Sequence, residues 1–172
     1  MDAGSVEPAE VLHQGFQRED DVRRASNVDV DEDSLATIER RLDAHRETIA
    51  AFFEHRLGER EGASFLRYVA GDFYRPHRDR GVVESWPDAA RRRVAVVVFL
   101  NSSRDADATG AFSGGALRLF VDGDSPIDVH PLEGLLVAFS ADVLHEVTVV
   151  RGGTRDAIVD WFYDAPRGSR ER

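Results

Sequence analysis

Two pairs of residues with the spacing His-x-acid could bind a metal ion: His77-x-Asp79 and His45-x-Glu47. With 6 His and 32 Asp or Glu in 172 residues, roughly one such pair is expected by chance. The spacing is therefore weak evidence by itself. The local structure that surrounds each pair has to decide which one matters.

The segments around the two pairs predict opposite side-chain geometries. Apolar residues recur at helical spacing over residues 31–58, which predicts one long amphipathic helix that carries the second pair. Residues two apart on a helix point about 200° apart and cannot face one metal ion. The segment FYRPHRDRG (73–81) is instead predicted to be extended, so that alternate side chains share one side. His77 and Asp79 are therefore the candidate ligands.

A third ligand has to come from elsewhere, and His145 is the best placed of the remaining histidines. It opens the apolar strand HEVTVV (145–150), whereas the others lie in a weakly patterned N-terminal segment, on the predicted helix, or before a proline. Two imidazoles and one carboxylate on one face of a metal leave three positions open, which suits non-haem Fe(II). Zinc with the same ligands stays the alternative.

An arginine lies on the last predicted strand, ten residues after His145. Arg155 shares a face with Trp161 by strand alternation, in a mostly apolar segment. A buried guanidinium is costly unless an anion pairs with it. The partner is either an internal acid or a bound dicarboxylate, which a guanidinium can hold through two parallel hydrogen bonds.

The rest of the chain predicts a β scaffold able to position these side chains. The predicted strands are SFLRYV (64–69), RVAVVVFL (93–100), ALRLFV (116–121), IDVH (127–130), LLVAF (135–139), HEVTVV (145–150) and AIVDWFY (157–163). Several short strands after a long helix indicate a mainly β jelly roll or barrel with a helical buttress. Two longer loops, 81–91 and 101–113, are expected at the mouth of a binding site.

Composition limits the class of protein. The length predicts a single domain over 1–172, with N-terminal helical support in 1–60 and a β core in 64–164. The absence of Cys excludes thiol ligands and nucleophiles, and the absence of Lys excludes Schiff-base chemistry. A net charge of −10 argues against a binder of duplex nucleic acid. No long apolar run or secretory N-terminus is present, so we expect no membrane span and a cytoplasmic location.

Five stretches of the chain carry a family resemblance. They are FLRYVAGDFYRPHRD (65–79), RRVAVVVFLN (92–101), SGGALRLF (113–120), PLEGLLVAF (131–139) and HEVTVVRGGTRDAIVDWFYD (145–164). Taken in this order, they resemble the Fe(II)/2-oxoglutarate-dependent dioxygenases, specifically the prolyl 4-hydroxylase-like branch. The resemblance implies a double-stranded β-helix, the cupin-like form of the jelly roll. Residues 1–60 match less specifically.

The resemblance also implies roles for individual residues. The implied Fe(II) ligands are His77, Asp79 and His145. Arg155 would pair with the distal carboxylate of 2-oxoglutarate, and Tyr68 would donate a hydrogen bond to it. The implied walls of the cosubstrate pocket are Val97, Leu117, Val147 and Trp161. Phe99 departs from close animal relatives, which have a tyrosine that helps to hold the cosubstrate, so more of the anchoring falls on Tyr68 and Arg155.

The implied reaction is hydroxylation of an aliphatic C–H bond of an amino-acid unit, with O₂ consumed and succinate and CO₂ released. The substrate is a peptidyl proline, or a free amino acid or other small molecule, and ascorbate is a candidate reductant. Candidate substrate contacts are Tyr74, Arg75 and Trp86, and the loop 101–113 is expected to close as a lid. The alternatives are a non-catalytic jelly-roll binding module and a cupin-like metal hydrolase.

Overall fold

The computed structural model describes residues 6–8, 11–12, 16–17, 21–81, 87–103, 112–121 and 125–166. Within these residues the chain forms the helices α1 (Glu32–Ala44) and α2 (Arg46–Phe53), one 3-10 helix (Pro87–Arg91) and sixteen strands. The strands are β1 (Val6–Pro8), β2 (Val11–Leu12), β3 (Phe16–Gln17), β4 (Arg23–Arg24), β5 (Ser26–Val28), β6 (Leu57–Arg60), β7 (Ser64–Val69), β8 (Phe73–His77), β9 (Arg92–Phe99), β10 (Ser113–Gly114), β11 (Leu117–Phe120), β12 (Ile127–Val129), β13 (Leu136–Ser140), β14 (Leu144–Val147), β15 (Val150–Gly152) and β16 (Thr154–Asp164).

Two antiparallel sheets enclose the core. The larger sheet has the order β1-β5-β7-β16-β9-β13, with β6 also paired to β16, and the smaller sheet has the order β12-β11-β14-β8-β4. Alternate residues of β9 (Ala95, Val97, Phe99) pack against Leu117 and Leu119 of β11, so the two sheets face each other across one apolar layer. This mainly β architecture confirms the predicted double-stranded β-helix.

The two helices cover the face of the larger sheet that points away from the smaller sheet. They form the helical buttress that the sequence predicted. Leu42 of α1 and Ile49 of α2 are buried against Val94, Val96 and Phe162. The side chains of β9 thus alternate between the helices and the interior between the sheets, because successive strand residues point to opposite faces. The buttress fixes the sheet that carries half of the candidate site.

The prediction of one helix over residues 31–58 was wrong. The helix breaks at His45, and α2 ends at Phe53. The next residue, Glu54, caps it with a left-handed backbone (φ 53°) and donates its N–H to carbonyls of the preceding turn. Apolar spacing alone could not show this, because Leu57 is also buried but belongs to β6, paired with β16. The segment 1–60 is therefore not only helical: it supplies β4 to the smaller sheet and β5 and β6 to the larger one.

The seven predicted strands are present with ends shifted by a few residues, except that 145–150 is two strands. β14 pairs with β11 and β8, whereas β15 pairs with β10, so the chain changes partners between Val147 and Val150. Thr148 bridges the change, since its hydroxyl accepts a hydrogen bond from the N–H of Ala116 at 2.9 Å. No helix among the described residues has the length and apolarity needed to cross a membrane.

Candidate metal centre and adjoining cavity

The candidate metal ligands meet where two neighbouring strands of the smaller sheet run side by side. His77 ends β8 and is the register partner of His145 on β14, and the two ring centroids are 4.1 Å apart. Asp79 follows β8, and its N–H donates to the carbonyl of Ala141 at 3.1 Å. The chain bends at Asp79, and its side chain reaches the same cluster as that of His77.

The three side chains form a compact ligand set. His77 Nε2 lies 3.4 Å from Asp79 Oδ1, and His145 Nε2 lies 3.5 Å from Asp79 Oδ2. One ligand atom from each residue lies within 4.8 Å of the others. The Nδ1 atoms of His77 and His145 contact the carbonyls of Arg75 (2.8 Å) and Val143 (2.9 Å). A carbonyl only accepts, so Nδ1 carries the proton and the Nε2 lone pair is free for a metal.

The electrostatics favour the proton-free forms of Asp79 and His145, which are the forms that bind metal ions. Burial opposes the charge on Asp79, but the charge of His145 and the hydrogen bond and charge of His77 outweigh it and hold the pKa of Asp79 far below its usual value. Burial lowers the pKa of His145, and the charge of His77 adds to the effect while Asp79 opposes it. The donor set and its protonation fit Fe(II).

Aromatic side chains hold the two imidazoles in place. The ring of Tyr74 stacks on His77, with centroids 3.4 Å apart and planes 16° apart, and Phe139 meets His145 edge-on at 4.7 Å. The guanidinium carbon of Arg23 lies over the Tyr74 ring, 4.7 Å from the ring centroid. Packed rings of this kind keep ligand atoms aimed at one point before any metal arrives.

A cavity of about 220 Å³ adjoins the three ligands. The residues expected to contact the cosubstrate all line it, and they are Tyr68, Val97, Leu117, Val147, Arg155 and Trp161. Tyr74 lines it too. Arg75 does not: it is exposed, and its guanidinium lies over the Phe73 ring at 4.7 Å, away from the cavity. Trp86 and most of the loop 101–113 lie outside the described residues.

Arg155 is a buried residue of the cavity wall. Its side chain is 2% exposed, and its Nε donates to the carbonyl of Gly115 at 2.9 Å. Within the described part of the chain no carboxylate forms an ion pair with it, since the adjacent Asp156 is paired with Arg67 at 2.8 Å. Burial lowers the pKa of the Arg155 guanidinium. Among the described residues no internal acid is therefore ion-paired with Arg155, although the charge of Asp156 attracts it and opposes the lowering of its pKa.

An ion pair that sequence reasoning missed lies beside the cluster. Arg92 is 8% exposed, donates from Nε to Glu61 Oε2 at 2.6 Å and from Nη1 to the carbonyl of Asp79 at 3.2 Å, and lies 3.7 Å from the Trp161 ring. Strand alternation would place Arg92 with Val94, on the helix side. A register shift between β9 and β16 brings it to the cavity instead, and the sequence carries no signal for that shift.

A buried donor of the cavity wall makes no hydrogen bond of ordinary geometry among the described residues. The Nε1 atom of Trp161 is buried without a hydrogen bond, although it is close enough to Asp79 to help lower the pKa of that carboxyl. Buried donors are normally satisfied by protein, water or a ligand. This donor therefore fits a cavity that receives a polar ligand next to the metal position.

Comparisons with known proteins agree with this geometry. The model of the 2OG-Fe(II) oxygenase superfamily matches residues 63–163. A prolyl-4-hydroxylase from Pseudomonas putida is similar at 26% identity and TM-score 0.71, over 93% of this chain and 77% of that one. No match was found among curated proteins.

More distant solved structures share the fold. A Trichoplax adhaerens prolyl hydroxylase, in complex with a hypoxia inducible factor oxygen degradation domain peptide fragment, has 18% identity and TM-score 0.72 over 92% of this chain and 70% of that one. An oxidoreductase of the 2OG-Fe(II) oxygenase family from Burkholderia pseudomallei has 19% identity and TM-score 0.63, over 98% and 77% of the respective chains.

Proposed function

Because this chain belongs to the 2OG-Fe(II) oxygenase superfamily, we propose that it hydroxylates an aliphatic C–H bond of an amino-acid unit with 2-oxoglutarate as cosubstrate. One observation carries the proposal: the His77–Asp79–His145 cluster opens into the same cavity as Arg155, a buried cation with no acidic partner among the described residues. A metal position and a buried guanidinium on one cavity suit a ligand that chelates through one end and carries an anion at the other.

In this proposal the protein's contribution is to hold and orient the reacting groups. His77, Asp79 and His145 would bind Fe(II) on one face and leave the other coordination positions to ligands. Arg155 would pair with the distal carboxylate of 2-oxoglutarate, and the hydroxyl of its cross-strand partner Tyr68 would donate to the same group. When bound, Fe(II) with 2-oxoglutarate and O₂ supplies the oxidation of C–H to C–OH, with release of succinate and CO₂.

The apolar walls of the cavity would keep bulk water from the reaction. Val97 of the larger sheet and Leu117 and Val147 of the smaller sheet are each at most 7% exposed, and all three line the cavity. A dry cavity strengthens the attraction between Arg155 and a carboxylate, and it limits side reactions of the oxidising centre.

A prolyl unit in a peptide is the substrate that the comparisons support best. The Pseudomonas putida relative is a prolyl-4-hydroxylase, and the Trichoplax adhaerens relative is a prolyl hydroxylase with a bound peptide fragment. Tyr74 and Trp161 would contact the substrate, since both line the cavity beside the metal ligands. A contact through Arg75 would have to occur outside the cavity. Four further points stay predictions from the sequence: a substrate contact through Trp86, ascorbate as the reductant, a single domain and a cytoplasmic location.

The test is production of succinate from 2-oxoglutarate by the purified protein with Fe(II) and O₂. We expect succinate to form only when Fe(II) and 2-oxoglutarate are both present, and to increase with proline-containing peptides that gain 16 Da, the mass of one oxygen atom. Free amino acids are tested in the same way, because they are the second substrate class. If the Fe(II)-loaded protein neither binds nor consumes 2-oxoglutarate, the proposal is wrong and a non-catalytic binding module becomes the better account.

A further inference from the structure

The guanidinium of Arg155 is oriented by a backbone carbonyl. The Nε of Arg155 donates to the carbonyl of Gly115 at 2.9 Å, in the short connection between β10 and β11. The rings of Tyr68 and Phe99 lie 5.0 and 5.1 Å from the guanidinium carbon. Since Nε has a protein partner, the two terminal nitrogens of Arg155 are left for a ligand in the cavity that it lines.

Gly115 also leaves the space through which the side chain of Arg155 passes. A Cβ atom at this position would lie 2.9 Å from Cδ of Arg155, 3.1 Å from Cγ2 of Val150 and 3.3 Å from Cε2 of Phe112. The backbone of Gly115 is left-handed, with φ +64°, which glycine adopts at little cost. Any larger residue here would therefore press on the buried stem of Arg155 and on the two apolar side chains behind it.

We propose that Gly115 is a positioning residue, which sets the direction of the Arg155 guanidinium and so determines the affinity for 2-oxo acids that carry a second carboxylate. The proposal rests on the function given above, in which Arg155 binds the distal carboxylate of 2-oxoglutarate. Gly115 itself touches neither the cosubstrate nor the metal. Its effect should therefore depend on Arg155 and should leave metal binding unchanged.

The chain offers a matched control for the substitution Gly115→Ala. Gly134 also has a left-handed backbone, with φ +80°, but a Cβ there would meet nothing within 4 Å. Gly134→Ala thus introduces similar backbone strain without touching Arg155. Comparing the two variants separates the displacement of Arg155 from a general loss of stability.

The experiment measures binding of two 2-oxo acids to the Mn(II)-loaded protein, in which turnover does not interfere. 2-Oxoglutarate has the distal carboxylate and 2-oxobutyrate lacks it. We expect Gly115→Ala to raise the dissociation constant of 2-oxoglutarate about tenfold or more, as for a misdirected charged hydrogen bond. Binding of 2-oxobutyrate and of Mn(II) should stay unchanged, and Gly134→Ala should match the wild type in all three measurements. In an Arg155→Leu background, Gly115→Ala should have no further effect.

Different results overturn different parts of the account. If Gly115→Ala binds 2-oxoglutarate as the wild type does, or weakens 2-oxobutyrate equally, Gly115 does not act through Arg155 and the inference is wrong. If the wild type binds no 2-oxoglutarate, the proposed function fails and the inference fails with it. Should Gly115→Ala not fold, the double variant Gly115→Ala/Val150→Ala replaces it with the same expected results, because it removes the contact with Cγ2 of Val150 and keeps the one with Cδ of Arg155. Val150→Ala alone is then the control.

Discussion

Tyr68 and Arg155 are direct cross-strand partners on β7 and β16, and both side chains are almost completely buried, at 1% and 2% exposure. The phenol ring lies 5.0 Å from the guanidinium carbon. The Phe99 ring also lies beside the guanidinium, 5.1 Å from that carbon, and has no hydroxyl to donate. The pair therefore supplies a cation and a hydroxyl to the cavity that adjoins the metal ligands.

Removing the hydroxyl of Tyr68 should weaken cosubstrate binding without affecting the metal site. We expect Tyr68→Phe to raise the concentration of 2-oxoglutarate needed for half-maximal succinate production about tenfold, since one hydrogen bond to a charged group contributes about 1.5–3 kcal/mol. Fe(II) binding and thermal stability should change little, because the ring stays in the core. An unchanged 2-oxoglutarate requirement would show that the hydroxyl makes no contact with the cosubstrate.

Removing the carboxylate of Asp79 should abolish turnover while the fold survives. Asp79 lies between the two imidazoles and is the anionic member of the ligand set, so Asp79→Ala should lose most Fe(II) affinity and most succinate production. His45→Ala and His130→Ala are the controls, because neither residue belongs to the cluster. Normal succinate production by Asp79→Ala would remove the metal assignment.

The His145 ring should titrate below its ordinary pKa of 6.5 in the metal-free protein. Burial disfavours the charged ring and the nearby His77 adds to this, so the proton is lost at lower pH than in the unfolded chain. The folded state is therefore destabilised as the pH falls through 6.5, where the unfolded chain takes up the proton first. NMR of the ring protons measures the midpoint. Asp79→Asn should lower it further, because Asp79 opposes the shift, and a midpoint above 6.5 would contradict the burial argument.

Two ion pairs of different burial should contribute differently to stability. Asp160 is 0% exposed and accepts hydrogen bonds from Arg60 and from the N–H of Gly62, whereas Asp128 pairs with Arg118 on the partly exposed outer face. Asp160→Ala should lower the free energy of unfolding by about 1–3 kcal/mol, because the N–H of Gly62 loses its buried acceptor, whereas Arg60 keeps its ion pair with Asp43. Asp128→Ala should cost under about 1 kcal/mol. Urea denaturation of both variants gives the comparison, and equal costs would be inconsistent with it.

Strand alternation predicted His77 and Asp79 as a candidate pair of ligands, and the structure places both side chains beside His145. Asp79 joins the cluster at a bend that follows β8, and His145 lies beside His77 because its strand is the neighbour of β8. Periodicity could not show where the chain changes partners. The change of partners after Val147 and the inward turn of Arg92 each depend on long-range pairing, which leaves no repeat in the sequence.

The acceptor of the Arg155 Nε could not be predicted for a related reason. It is a backbone carbonyl, at Gly115, and a carbonyl has no residue-type signal in the sequence. The sequence indicated a flexible turn at Gly114-Gly115. It could not indicate that Gly115 contacts Arg155, forty positions further on, because that contact depends on how β10 and β15 pair. Residue types therefore predicted which groups form the site, and the strand pairing determined how they are held.

The most direct test of the central claim is an anaerobic titration of the Fe(II)-loaded protein with 2-oxoglutarate, for the wild type and for Arg155→Leu. The claim is that one cavity holds the cosubstrate between the metal cluster and Arg155. We predict that the wild type saturates and that Arg155→Leu needs at least about 100-fold more 2-oxoglutarate, since removing one partner of a buried charge pair costs about 3–5 kcal/mol. Identical titration curves for the two proteins would contradict the account.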